Sequence, residues 1–466
     1  MSAPSSAYTT APASRSTGIS SYGTSRRFRF ELSSFPEIPS DDAALTVDSE
    51  LSEKIRKIAA NSLINLNSKN ANNAAVLIVK LPENEIIAAI GSPDPESNYN
   101  GYKINMLEVP RAIGSTIKPF IYPNAFEKNL RPYTLIKDRE YKYITAIGYP
   151  LYPKNFDWKY HGEVTLHFAL SNSLNVPTVK TLEYIGLNNF YKFLGNDLEF
   201  KPIQPFENYQ LGIALGSLEM NLLDLAKYFT IFPNEGILKE LKIYKEKSAK
   251  PEKKIADPEY VQLINKILND RHTGIEQFGM KSDLNLFQNN YALKTGTSRD
   301  FRDSWVIGYT PDFLVGVWVG NADNSPMEEL TGQTGAGRIW TKTMELMMNS
   351  EYNKKTPFDF GLIKEFRNTG NIEYGLAGDN YEKQKNLLKE KDLSLILAPH
   401  DGDTFLLEKN TSIFLKAKEN AAWYIDGALL DPKQKNIFNP EKSGQYRIKA
   451  IGASGQTEEV DIFVNE

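Results

Sequence analysis

The apolar positions of the chain first follow a helical period and then form two strand-like runs. After Ser49, apolar residues recur at the spacing of a helix, at Leu51, Ile55, Ile58 and Leu63. This period predicts an amphipathic helix with Asp48 or Ser49 as its N-cap. Next, the apolar runs 74–79 and 86–90 flank a Pro-Glu-Asn turn at 82–84. Such a sequence predicts a β-hairpin with buried strands.

The order of the later elements indicates a fold class. Helical patterns dominate residues 110–235, and strand-like runs return at 294–297, 305–309 and 313–319. A helix, a hairpin, a helical block and further strands are typical of an antiparallel sheet flanked by helices. The sequence therefore predicts an α/β (α+β) fold.

Composition suggests the limits of this domain. Residues 1–30 are largely small and polar and offer little apolar surface, which predicts a disordered segment. Residues 375–394 are charged and poor in apolar positions, which predicts a linker after a domain that spans 31–374. Over residues 395–466, short strand-like runs alternate with turn signals, and this pattern predicts a small β-sandwich.

Composition also excludes several functions. The 466 residues carry a net charge of -4, which argues against a nucleic-acid groove because phosphate binding depends on Lys and Arg. The chain has no cysteine, and its four histidines lack metal-binding spacing. We therefore expect no metal and no organic cofactor. No apolar run approaches the roughly 20 residues that span a bilayer, and no signal peptide is recognisable, so we expect no membrane segment in this chain.

The candidate chemistry lies in three short motifs, Ser115-Thr116-Ile117-Lys118, Ser173-Leu174-Asn175 and Lys294-Thr295-Gly296-Thr297. Taken separately, the first two patterns arise easily by chance in a chain of this size. The third is rarer and begins a predicted strand. Their occurrence together and in this order favours a catalytic function over coincidence.

The first motif suits acyl transfer from a serine. Because no helix breaker follows Gly114 until Pro119, Ser115 is expected at a helix N-terminus, where N–H groups favour developing negative charge. Lys118 then lies one turn later on the same face. It can take the serine proton only when it is neutral, so we expect burial and a second cation, Lys294, to lower its pKa.

The third motif suits substrate binding. The hydroxyls of Thr295 and Thr297 are candidates for a substrate carboxylate, and Gly296 permits close approach of the backbone. The N–H groups of Ser115 and of a strand residue near Thr297 are candidates for an oxyanion hole.

The second motif supplies two further polar groups. Ser173 is a candidate proton relay to the leaving amine, and Asn175 is a candidate for holding the substrate amide and orienting Lys118. The glycine-rich segment 332–337 lacks the lysine of a phosphate loop and is expected to form a turn beside the active site.

These motifs resemble the signatures of the penicillin-binding and serine β-lactamase superfamily. Residues 111–120 resemble the nucleophile segment of class A penicillin-binding proteins. Asn155-Phe156-Asp157 and His161-Gly162 resemble the region that precedes their second motif. The C-terminal segments 423–427 and 446–448 resemble the small C-terminal domain of the penicillin-binding protein 1C subgroup. The resemblance covers about residues 45–466.

The resemblance implies a penicillin-binding transpeptidase fold and D,D-transpeptidase activity. Such an enzyme forms a serine acyl-enzyme with a D-Ala-D-Ala stem peptide of peptidoglycan and transfers it to a neighbouring stem-peptide amine. It also implies covalent inhibition by β-lactams and a place in the cell envelope, in the periplasm of a Gram-negative cell. The C-terminal domain is a candidate for binding partners in cell-wall synthesis. The glycosyltransferase motif of class A proteins is absent, so no glycan polymerisation is expected from this chain.

Other functions stay open at this point. A D,D-carboxypeptidase would use the same residues with water as the acceptor, and acceptor access is not visible in a sequence. A β-lactamase is disfavoured because the Glu-x-x-Leu-Asn pattern is absent, since Glu183 and Leu187-Asn188 miss its spacing by one residue. A non-catalytic module that senses β-lactams or peptidoglycan would be acylated without turning over a peptide donor.

Overall fold

The structure is a computed structural model of the chain. It describes residues 46–99, 101–140, 143–144, 150–151, 153–245, 251–368, 371–388, 395–407 and 411–465. The segment 1–30, for which the sequence predicts disorder, lies outside the described residues.

A five-stranded antiparallel sheet forms the centre of the larger domain. In chain order, its strands are β1 (Asn73–Lys80), β2 (Glu85–Ile90), β3 (Ala292–Thr297), β4 (Asp303–Tyr309) and β5 (Phe313–Gly320). Their spatial order is β3-β4-β5-β1-β2, and each neighbouring pair is antiparallel. The predicted hairpin corresponds to β1 and β2 and is confirmed, and β3, which carries the third motif, lies at the edge of the sheet.

Both faces of this sheet are buried. Alternate residues of β1 belong to two separate cores, with Ala75, Leu77 and Val79 in one and Ala74, Val76 and Ile78 in the other. Strands buried on both faces have continuous apolar sequences rather than alternating ones. This explains why the run 74–79 has no polar positions.

The helices cover the two faces. In chain order they are α1 (Ser49–Leu66), α2 (Lys118–Glu127), α3 (Leu166–Ser171), α4 (Asn175–Ile185), α5 (Leu187–Lys192), α6 (Leu222–Phe229), α7 (Pro258–Asn269), α8 (Ile275–Phe278), α9 (Ala336–Met348) and α10 (Tyr381–Lys385). α1 and α9 pack on one face, and α2, α6 and α7 belong to the layer on the other. The predicted cap of α1 is present, since the Leu51 N–H donates to Asp48 Oδ1 at 2.9 Å. In the described part of the chain, no helix has the length and apolarity needed to cross a membrane.

Short elements connect these layers. They include the strand pairs Arg111–Ala112 with Glu219–Met220, Leu135–Asp138 with Gly162–Thr165, Tyr143–Ile144 with Pro150–Leu151, and Ile237–Leu238 with Lys253–Lys254. The single-turn helical segments are Asn67–Lys69, Gly114–Ile117, Phe193–Asp197, Phe206–Asn208, Gln210–Leu215, Arg299–Phe301 and Pro432–Gln434. The segment Gly114–Ile117 leads directly into α2 and carries the first motif.

The region predicted as a linker contacts the larger domain where it is described. Its first two residues, 375 and 376, are the end of β7 (Asn371–Leu376), which forms a hairpin with β6 (Ile363–Asn368), and the structure describes this region as far as residue 388. The buried Arg131 Nε donates to both carboxylate oxygens of Asp379 at 2.8 Å. Tyr133 Oη donates to Gln384 Oε1 at 2.9 Å. Up to residue 388, the chain is therefore docked on the larger domain by a buried ion pair and hydrogen bonds.

The C-terminal region is rich in strands, as predicted. Its sheet contains β8 (Thr404–Leu406), β9 (Ala421–Ile425), β10 (Ala428–Leu429), β11 (Gly444–Gly452) and β12 (Thr457–Asn465) in the order β8-β12-β11-β9-β10. Two strand pairs accompany it, Ile396–Ala398 with Lys416–Ala417 and Ile413–Phe414 with Ile437–Phe438. Trp423, Ile448 and Ile462 belong to a separate small core.

A buried histidine joins this region to the larger domain. His400 Nε2 lies 2.5 Å from Glu183 Oε1, on α4, and His400 Nδ1 lies 3.5 Å from Asp403 Oδ2. The two carboxylates raise the pKa of His400 to about 10, against the opposing effect of burial, which is the largest single influence. The junction therefore holds an imidazolium between two carboxylates, close to the C-terminal end of α4.

Candidate active site

The first motif forms a tight turn between a short strand and α2. The N–H of Ile113 donates to Leu218 O at 3.1 Å, and that of Gly114 donates to Gly216 O at 3.0 Å. Ser115 lies in the following helical turn and is partly exposed, whereas its neighbours are buried. Pro119, in the first turn of α2, is tolerated there because the first N–H groups of a helix need no partner within it.

Two glycines let this turn lie directly against β3. Gly114 has a φ of +54°, and a Cβ added to it would be 2.5 Å from Thr297 O and 2.7 Å from Thr297 N. A Cβ on Gly296 would be 2.4 Å from Ile113 O. Any larger residue at either position would push the turn and the strand apart. The close approach brings Ser115 next to the Lys-Thr-Gly-Thr strand.

Lys118 points into a cluster of oxygen atoms from the second motif. Its Nζ donates to Ser173 O at 2.5 Å, Asn175 Oδ1 at 2.7 Å and Leu174 O at 3.2 Å. The side chain is fully buried. Burial, and next the charge of Lys294, lower the pKa of Lys118 well below its ordinary value. This is the electrostatic environment that the sequence led us to expect for this lysine.

Ser173 lies between the two lysines. Its Oγ accepts a hydrogen bond from Lys294 Nζ at 2.8 Å and lies 3.4 Å from Lys118 Nζ. Ser173 has a φ of +56°, a left-handed conformation that costs a non-glycine residue of order 1 kcal/mol or more. The surrounding hydrogen bonds hold the hydroxyl in this position.

Lys294 has a second cation nearby that the sequence did not point to. Its pKa is lowered to about 7, first by burial and then by the charge of Arg271. Arg271 follows α7 and donates from Nε to Asn285 Oδ1 at 3.3 Å. The sequence offered no signal for this proximity, because Arg271 lies outside the three motifs and reaches Lys294 only through the fold.

The remaining residues of the third motif face a glycine-rich turn. The N–H of Gly332 donates to Thr297 Oγ1 at 2.9 Å, and a Cβ on Gly332 would be 2.9 Å from Thr295 Cβ. Residues 332–335 therefore form a turn beside the candidate site, as expected, and residues 336 and 337 of the same segment begin α9. Since Thr297 Oγ1 is the acceptor in this bond, its own hydrogen is left to donate to another group.

One more polar residue contacts the second motif, and a buried carboxylate holds it in place. Asn155 Oδ1 accepts from the N–H of Asn175 at 2.8 Å, and Asn155 Nδ2 donates to both carboxylate oxygens of Asp138, at 2.9 and 2.8 Å. In the sequence, Asn155 stands out only as part of the resemblance to class A penicillin-binding proteins, with no role attached, and nothing points to Asp138. Among the residues that the structure describes, no cluster of His, Asp or Glu could hold a metal ion.

The three motifs thus meet at one point, where a helix N-terminus approaches the edge of the sheet. A Ser-x-x-Lys turn, a Ser-x-Asn segment and a Lys-Thr-Gly strand in contact define the class that includes penicillin-binding proteins and serine β-lactamases. Residues 74–345 match the family described as penicillin binding protein transpeptidase domain, and residues 384–462 match the penicillin-binding protein C-terminus family. The chain belongs to the penicillin-binding protein transpeptidase family.

Individual relatives agree with this assignment. The chain is 25% identical to penicillin-binding protein 1C of Escherichia coli strain K12 over 315 residues, which are 67% of this chain and 39% of that protein. It is 28% identical to penicillin-binding protein 1B of Vibrio cholerae over 313 residues, 63% of this chain and 38% of the relative. The chain therefore spans about two fifths of the length of these curated relatives.

A solved structure supports the fold. The crystal structure of penicillin-binding protein 1A from Haemophilus influenzae superposes with a TM-score of 0.57 at 21% identity. The match covers 66% of this chain and 53% of that one. Helices around an antiparallel five-stranded sheet are thus the fold of this family, as the sequence predicted.

Proposed function

We propose that this chain is a serine D,D-transpeptidase that cross-links peptidoglycan, with Ser115 as its nucleophile. The observation that supports this most directly is the contact network in which Ser173 Oγ lies between Lys118 Nζ and Lys294 Nζ, at 3.4 and 2.8 Å. The pKa values of both buried lysines are lowered. Lys118 lies one helical turn after the partly exposed Ser115. It supplies the proton acceptor that the Ser115 hydroxyl needs.

In the proposed acylation step, neutral Lys118 takes the proton of Ser115 as Oγ attacks the carbonyl of the penultimate D-Ala. The peptide C–N bond then breaks, and the terminal D-Ala leaves with a proton delivered through Ser173. The N–H groups of Ser115 and Thr297 stabilise the oxyanion. A neutral lysine has two N–H donors for the oxygens around it, so its lone pair is available to the serine.

In the second step, the amine of a neighbouring stem peptide attacks the ester of Ser115 and loses a proton to the same lysine, which returns it to Ser115 Oγ. The substrate carboxylate is bound by the free hydroxyl hydrogen of Thr297, by Thr295 and by the positive charge of Lys294. Gly296 keeps the strand close to the turn that carries Ser115, and Asn175 holds the substrate amide. β-Lactams acylate the same serine.

The place of action follows from this substrate. Peptidoglycan stem peptides are cross-linked outside the cytoplasmic membrane, so we place the protein in the cell envelope, in the periplasm of a Gram-negative cell. The C-terminal β-rich region resembles the small C-terminal domain of the penicillin-binding protein 1C subgroup, and its residues up to 462 match the penicillin-binding protein C-terminus family. We assign it to the binding of partners in cell-wall synthesis.

Labelling with a fluorescent penicillin tests the nucleophile. We expect a stable adduct on the wild type, seen on a denaturing gel and by intact mass, and none on Ser115→Ala. Ser68→Ala is the control, because Ser68 is an exposed serine whose hydroxyl donates to Asn65 O at 3.4 Å, at the end of α1. An adduct that persists in Ser115→Ala would contradict this assignment.

A second assay separates transpeptidase from carboxypeptidase and sensor. A D-Ala-D-Ala peptide or thioester donor is incubated with and without a D-amino acid acceptor, and products are separated by mass. We expect an aminolysis product that grows with acceptor concentration. Hydrolysis alone would indicate a D,D-carboxypeptidase, and acylation by penicillin without any donor turnover would indicate a sensing module.

A further inference from the structure

The helix that carries Asn175 starts without a cap of its own. α4 begins at Asn175, and the preceding residue, Leu174, has no side-chain acceptor for the first N–H groups. A helix leaves its first N–H groups without partners inside the helix, and such groups are costly when buried unless another acceptor is supplied. The second motif therefore needs a cap from elsewhere in the chain.

Asn155 supplies it from 20 residues earlier in the sequence. Its Oδ1 accepts from the N–H of Asn175 at 2.8 Å and from that of Val176 at 3.4 Å. Asn155 is 3% exposed, so water does not compete for these bonds. The Asn155 side chain therefore caps the N-terminus of α4, as the side chain of the N-cap residue does in other helices.

Asp138 fixes which way this amide points. Asn155 Nδ2 donates to both oxygens of Asp138, at 2.9 and 2.8 Å, and to Lys159 O at 2.8 Å. All three are acceptors, so only the NH₂ end of the amide suits them, and the oxygen must face the helix. Asp138 is fully buried, and its Oδ2 also accepts from the His161 N–H at 2.9 Å and faces His161 Nδ1 at 2.8 Å.

The capped turn is the one that surrounds Lys118. Asn175 Oδ1 accepts from Lys118 Nζ at 2.7 Å, and Asn175 Nδ2 donates to Lys154 O at 2.6 Å. A shift of the helix start would therefore move oxygens that contact the lysine, including Ser173 O.

We propose that Asn155 and Asp138 are positioning residues for the Ser173–Asn175 segment, and that they set the acylation rate by fixing the oxygens around Lys118. This inference rests on the proposed function, because it assigns the pair an effect on the same reaction. Neither residue touches the reacting atoms. Their effect is transmitted by the backbone of the first turn of α4.

A reciprocal exchange tests the pair. Asn155→Asp alone places two buried carboxylates against each other, and Asp138→Asn alone removes two of the three acceptors that orient the Asn155 amide. In the double variant, the amide introduced at position 138 again donates to the side chain at position 155, and the carboxylate introduced there accepts from the N–H groups of Asn175 and Val176. Lys159 O loses its donor in this variant, so the recovery is partial. Asn189→Ala is the matched control, because this amide bonds Ile185 O at the opposite end of the same helix, at 2.8 Å.

Acylation by a chromogenic β-lactam is measured across pH, well below each variant's unfolding temperature. We expect each single variant to lose about 10- to 100-fold in acylation rate, the scale of a displacement of up to about 1 Å at a catalytic group, with a shifted pH profile. The exchange should acylate faster than either single variant and recover part of the wild-type profile, and Asn189→Ala should match the wild type. Single variants that acylate at the wild-type rate, or an exchange no faster than the slower single, would overturn the proposal.

Hydrogen exchange at two amides separates this proposal from the proposed function. The N–H groups of Asn175 and Val176 should be protected in the wild type and lose protection in Asn155→Ala, which removes their acceptor. If the wild type is not acylated but this protection pattern holds, the cap stands and the proposed function fails. If acylation occurs but the two amides exchange equally fast in both proteins, the cap is wrong.

Discussion

Replacing Gly114 by alanine tests whether the close approach of the nucleophile turn to β3 is needed for acylation. The added Cβ would lie 2.5, 2.7 and 2.8 Å from Thr297 O, N and C. These are backbone atoms of a strand held in the sheet, so they cannot rotate away. To reach an ordinary contact of 3.4 Å from 2.5 Å, the turn and the strand must separate by about 0.9 Å.

The free-energy cost of Gly114→Ala has two parts, backbone strain and a steric clash. An alanine at a φ of +54° loses about 1–2 kcal/mol in backbone strain. The clash adds about 1–3 kcal/mol, as for other overpacked sites. Since a displacement near 1 Å at a catalytic group can cost about 100-fold in rate, we expect Gly114→Ala to acylate about 100-fold more slowly than the wild type.

Gly427→Ala is the control. Gly427 lies in the C-terminal region and has a φ of +84°, but an added Cβ would have no atom within 4 Å. Gly427→Ala therefore introduces backbone strain without a steric clash. Thermal unfolding and second-order acylation by a fluorescent β-lactam are measured for both. We expect wild-type acylation in Gly427→Ala. A folded Gly114→Ala protein that acylates within about threefold of the wild type would refute the argument that Ser115 depends on this contact.

Three further predictions follow from buried charges. Because the pKa of Lys294 is held at about 7, the Michaelis constant for a carboxylate-bearing donor should rise as pH passes 7, whereas Lys294→Arg should show no such rise because arginine stays charged. The pKa of His400 is raised to about 10 in the folded protein. The stability that the charged imidazole contributes is therefore complete below about pH 6.5, the ordinary histidine pKa, and is lost as the pH rises through 10. The melting temperature should therefore fall over this range in the wild type and less in His400→Gln. Asp379→Ala removes one partner of the buried Arg131 pair and should lower the free energy of unfolding by about 3–5 kcal/mol in urea. An unchanged unfolding midpoint would show that the segment after β7 is not held by this pair.

Periodicity was enough to predict much of the larger domain. The helix after Ser49, the hairpin at 74–90 and the strands after residue 292 all appear where apolar runs and turn residues predicted them. These elements depend on near neighbours in sequence, because strand and helix periods and caps are local properties. The docking of the charged segment 375–388 on the larger domain could not be predicted in this way. Asp379 of this segment pairs with the buried Arg131, which lies 248 residues earlier in the chain.

The candidate site also has features that the sequence predicted and features that only the fold explains. The three motifs could be read from the sequence because each is a short run of fixed residue types, and their catalytic roles stay predictions. Which atoms surround Lys118, the left-handed φ of Ser173 and the charge of Arg271 near Lys294 depend on the tertiary structure. Sequence alone determined which chemical groups are present, because residue type fixes their chemistry. Only the fold decided their pKa values and partners, because burial and contacts between residues far apart in the chain have no local signature.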